Sequence, residues 1–109
     1  FYALKTFTID NREICEALVR VMNRSLKAVH SMNSIEIAKI IGPGFFPDLS
    51  ITSLSSIIEG YKSSRVWPSK TDLPPSAFVK LKAALLSGEL IQFDIPYDEV
   101  IDKDLSKAK

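Results

Sequence analysis

Cysteine and histidine are almost missing from this chain of 109 residues: Cys15 and His30 stand alone. A single cysteine excludes an internal disulfide, and one cysteine with one histidine excludes a multi-cysteine zinc site or a His/Cys transition-metal cluster. There is also no apolar run near the ~20 residues that a membrane span needs. No charged-apolar-small segment opens the chain as an export signal would. The formal charge is only +1, so no global field points to nucleic acid or anionic lipid. Glycine is scarce, and Gly42-Pro43-Gly44 lacks the following lysine of a phosphate-binding loop. Lys80 and Lys82 lack interleaved aromatics and read as a solvated helix face.

What is present fits one soluble globular domain by length, with 46% hydrophobic and 25% charged residues. The chain opens on Phe1 rather than Met, which leads us to expect a piece of a longer protein. Phe1 to Ile9 is rich in β-formers and reads as an extended segment. Asp10 with Glu13 then has the spacing of a capping box, flanked by Ile9 and Ile14 as a hydrophobic staple. Ile14, Leu18, Val21, Met22, Leu26 and Val29 follow near the helical period, which predicts a helix to about Ser31.

Ser34 is expected to cap a second helix through Ile41, with Gly42 and Pro43 stopping it. Ser50 is expected to cap a third, whose Leu54, Ile57, Ile58 and Tyr61 share a face and which ends near Ser64. Pro68 and Pro74-Pro75 mark a connector; Pro75 suits the first position of a fourth helix, with Phe78, Leu81, Leu85 and Leu86 inward and Gly88 as its stop. Ile91 to Ile95 reads as briefly extended, Tyr97 to Ile101 as one helical turn, and 102–109 as a polar fraying tail. The fold class is therefore mainly α: about four helices in a body at 10–101, with short extended ends.

No self-contained active site emerges. Asp94, Asp98, Glu99, Asp102 and Asp104 crowd one stretch, but no glycine lies among them to turn a calcium loop, and no pair is set apart as acid and base. Asp98 and Glu99 suit a helix start. His30 suits a helix end, Cys15 a small core or boundary position, and Trp67 an anchor for the connector. No catalytic residue, metal site or cofactor is expected, and the chain reads as not an enzyme.

Three stretches carry a resemblance. They are "TFTIDNREICEALVRVMNRSLKAVHSM", "ITSLSSIIEGYKSSRVWP" with its Tyr-Lys pair and Trp-Pro joint, and "PPSAFVKLKAALLSGELIQFDIPYDEVID" with its glycine stop and Pro-Tyr ending. Their order resembles the C-terminal part of the solute-binding proteins of ABC importers for nitrate, sulfonates and taurine, a group that includes pyrimidine-precursor binders of thiamine supply. The first helix departs from that pattern, with Asn11-Arg12 where the family usually has proline after asparagine.

The resemblance implies that the full-length protein is a two-lobed α/β protein of the periplasmic-binding type II fold, periplasmic or membrane-anchored outside the cell. It implies a small solute held between lobes, a membrane permease as partner, and ligand contacts mostly upstream of Phe1. Tyr2 and Thr6, by position alone, are the residues placed to approach the cleft. The alternatives are a pyrimidine or thiamine-precursor biosynthesis protein of the same fold, or a free-standing helical interaction module anchored by Phe45, Phe46 and Trp67. Exposed apolar faces, Leu18/Val21/Met22 or Ile57/Ile58, are expected to drive self-association of the isolated chain.

Overall fold

Six α-helices and one short 3-10 turn carry the chain in the computed structural model, which describes residues 1–108; no strand occurs among the described residues. The helices are α1 (Lys5–Asp10), α2 (Arg12–Ser31), α3 (Ser34–Phe45), α4 (Ile51–Ser63), α5 (Pro75–Ser87) and α6 (Tyr97–Val100). The mainly helical class expected from sequence is what the chain adopts. Within the length of one domain the residues gather into two compact units. One comprises Phe1–Arg20 with Thr71 onward, and the other Val21–Lys70.

The second unit is built on α3 against α4. Ile37, Ala38, Leu54 and Ile58 form its core, with Met32, Ile41, Ile51 and Trp67 packed around them. Ala38, where α3 lies against α4, has no exposure at all. Gly42 serves the same approach: a Cβ there would lie 3.1 Å from Ile51 Cδ1 and 3.4 Å from Leu54 Cδ2. This explains why Gly42 does not stop α3 at Ile41 as the sequence suggested. It packs within the helix, Pro43 sits in the last turn, and the Phe46 amide closes the helix on the Gly42 carbonyl at 2.8 Å. Pro43 forgoes one hydrogen bond, to the carbonyl of Lys39, and Lys39 is exposed, so water can take that acceptor.

Local chemistry set several boundaries as expected. The Ser50 hydroxyl accepts from the Ser53 amide at 3.1 Å and starts α4. Pro75 occupies the first turn of α5, and Gly88 is its C-cap. Helices α4 and α5 then end alike. Val66 donates to Tyr61 and Arg65 to Lys62; Leu90 donates to Leu85 and Glu89 to Leu86. This is the Schellman pattern, and its left-handed residue is Arg65 (φ 53°) in one case and Glu89 (φ 55°) in the other. The turn after Gly88 therefore falls on a side-chain-bearing residue.

Other expectations are corrected. The segment read as extended is helical from Lys5, because a lone strand would leave its amides unpaired, whereas here Thr8 donates to Leu4 and the Thr8 hydroxyl to Lys5. Asp10 closes α1 and does not cap α2. The Asn11 amide and its side-chain nitrogen both donate to the Phe7 carbonyl, so the chain is still turning when it reaches Asn11. Ile9 and Ile14 are both exposed and form no staple. The cap of α3 is Asn33, one residue before Ser34: its side chain accepts from Glu36 N at 2.9 Å and its amide reaches Glu36 Oε2 at 3.4 Å. Ile91 to Ile95 forms no strand.

The inward face of α2 is also rotated from the expected one at its start. Cys15 is buried and Val19 half-buried, while Ile14, Leu18 and Val21 are exposed; Met22, Leu26 and Val29 turn partly inward as expected. Apolar residues occupy too wide a stripe on this helix for all to be covered. On α4, Ile58 is core and Ile57 stays exposed, so these two do not make one free face.

Candidate functional site

The acidic C-terminal stretch resolves into separate ion pairs. Asp94 Oδ1 lies 2.5 Å from Lys82 Nζ, whose ammonium also stands 5.5 Å from the Phe78 ring centre. Asp98 pairs with Lys103, and that partner raises the lysine's pKa. Asp102 pairs with Arg12, at 2.5 Å from one guanidinium nitrogen and 3.5 Å from the other.

Partial burial opposes ionisation of Asp102. The Leu105 amide at 2.8 Å and the Arg12 guanidinium outweigh it and hold its carboxyl below the usual carboxylate range. Arg12 is raised in turn, first by its hydrogen bond to Asp102. Three of the five carboxylates therefore serve three different cations. No group of three His, Cys, Asp or Glu side chains is placed to hold a metal among the described residues. Asp102 is a clasp for the C-terminal segment rather than the fraying tail residue expected from sequence.

The fold keeps the remaining candidates apart. Cys15 is buried in the first turn of α2 and His30 lies in its last, at opposite ends of one helix. His30 Nε2 meets the Pro68 carbonyl at 3.1 Å. Trp67 packs on the core and meets Tyr61 edge-on, ring centres 5.5 Å apart. The connector is thus pinned by its tryptophan and by the next carbonyl, as the anchor reading of Trp67 required. Phe45 is 77% exposed and Phe46 less so. The Tyr97 hydroxyl donates to Leu73 at 2.6 Å, and its ring meets Phe78 edge-on, so Pro96-Tyr97 acts as a joint.

An open groove of about 570 Å³ lies in the second unit, where the start of α3 meets α4; Asn33, Ser34, Ser55, Ser56, Glu59 and Gly60 are among the residues that line it. Two side chains of α4 tie that helix to the start of α3 and to the residue two before it. Glu59 Oε2 accepts from the Ser34 hydroxyl at 2.5 Å, and Lys62 Nζ donates to the Met32 carbonyl at 2.6 Å. Gly60 leaves open space, since a Cβ there would meet nothing within 4 Å.

Ser34 beside Glu59 is not an activated nucleophile. Ser34 is only 6% exposed, and its hydroxyl is committed to a carboxylate with no histidine or lysine base beside it in the groove lining. What the groove offers is the Asn33 carboxamide, serine hydroxyls and one carboxylate for hydrogen bonding, set in a lining that is more apolar than polar and includes Ile35. A smaller hollow of about 390 Å³ lies beyond α5 at Leu86, Glu89, Ile91 and Gln92. Tyr2 and Thr6 line neither: both are exposed, Tyr2 ahead of α1 and Thr6 on it. Sequence reasoning missed Glu59, Lys62 and the Arg12–Asp102 clasp, because their partners lie 25 to 90 residues away. Asn33-x-x-Glu36, by contrast, is a local capping signature visible in the sequence.

No family model matches the chain, and no curated protein or solved structure matches it either.

Proposed function

We propose that the chain is the C-terminal portion of the solute-binding component of an ABC-type importer, of the nitrate, sulfonate, taurine or thiamine-precursor class. One observation carries this reading. Each of the three stretches that resemble that family falls on helices of this chain. The first covers most of α1 and all of α2, the second α4 with its Tyr61-Lys62 end and pinned Trp67-Pro68 joint, and the third α5 with its Gly88 stop and the Pro96-Tyr97 turn into α6. In this reading the chain supplies helices that frame one lobe. A small solute is bound between lobes in the whole protein, and closure around it presents the loaded form to a membrane permease. The location that follows is periplasmic, or anchored to the membrane outside the cell. No covalent step is required.

A second reading, a free-standing helical interaction module, is favoured by the exposure of Phe45 at the end of α3 and by the separate core of residues 21–70. Trp67 is no anchor in that reading, because it is already packed.

The test is the native gene product. An antibody to residues 75–109, followed by intact mass, is expected to find a protein much heavier than 12.2 kDa and trimmed at its N-terminus. That product should gain thermal stability with a nitrate-, sulfonate- or pyrimidine-type solute. A product no larger than this chain would overturn the importer reading and leave the interaction module.

A further inference from the structure

We draw no further inference here: the strongest candidate, the open groove where the N-terminus of α3 meets the small-residue face of α4 at Ser56 and Gly60, carries nothing because its buried polar side chain, Ser34, is already partnered by Glu59 and nothing in the structure shows what covers it.

Discussion

Asp102 and Arg12 tie together residues ninety positions apart with side chains that stay about one-third exposed. Such a pair is worth little in salt, and its contribution depends on Asp102 being ionised. The sign follows from the depressed carboxyl of the folded state. Its stabilisation is fully present above the unfolded value of about 3.9 and is lost as pH falls through the lower folded value. Asp102→Asn is therefore expected to destabilise modestly at pH 7 and to converge with the parent in strong acid, as urea titrations at pH 7 and at successively lower pH would show. A deficit that stays the same down to the lowest pH at which the chain folds would mean that the carboxylate's charge is not what matters. Glu89 is the other residue whose backbone makes a prediction. It holds φ 55° at the end of α5, a conformation that costs a side-chain-bearing residue ~1 kcal/mol. Glu89→Gly should remove that strain and raise the urea midpoint by an equivalent of about 0.5–1 kcal/mol, less what glycine adds to unfolded-state entropy. Glu89→Ala, keeping the Cβ, should gain none of it.

Two glycines inside helices separate local propensity from packing. Gly60 lies in α4 with open space where its Cβ would be, so it carries only the helix penalty of glycine. Gly60→Ala should stabilise by about 0.5–1 kcal/mol in denaturant melts. Gly42 carries the same penalty in α3, but its Cβ would press on Ile51 and Leu54. Gly42→Ala should gain less than Gly60→Ala, and Gly42→Val should cost about 1–3 kcal/mol through overpacking. Equal gains from the two alanines would show that α3 and α4 do not meet at Gly42. The same contrast explains which elements were legible in the sequence. Ser50, Pro75 and Gly88 act on their own few neighbours, and their boundaries could be read directly. Gly42 and Asp10 look locally like a stop and a cap, yet packing on α4 overrode the first and the continued turn through Asn11 overrode the second. The face of α2 misled for a different reason: its apolar residues are numerous enough to fit two overlapping stripes, and only contact selects one. The groove was not legible at all, since Ser34 and Glu59 meet only when α3 folds onto α4.

At the scale of the molecule, apolar side chains remain uncovered on α1 and α2: Ile9 is 65% exposed, Ile14 62% and Val21 55%, with Leu18 and Phe7 somewhat less. Single exposed apolar residues are ordinary, but a helix stripe of them is a surface that water does not favour. The isolated 109-residue chain is therefore expected to associate with itself as concentration rises, seen as a concentration-dependent increase in sedimentation coefficient. Leu18→Lys, at an exposed position that leaves the buried Cys15 and half-buried Val19 face intact, should return it to monomer without lowering its unfolding midpoint by more than about 0.5 kcal/mol. The importer reading adds a condition that separates it from the interaction module. If the rest of a two-lobed protein covers this stripe, the heavier native product should sediment as a monomer at concentrations where the isolated chain does not, and Leu18→Lys should destabilise that product more than it does the isolated chain. A native product that associates through Leu18 as the isolated chain does would place the stripe on the outside of the working protein. A chain that stays monomeric at millimolar concentration would show that the stripe, though exposed, is too broken by Arg24, Ser25 and the other polar residues around it to hold a second copy.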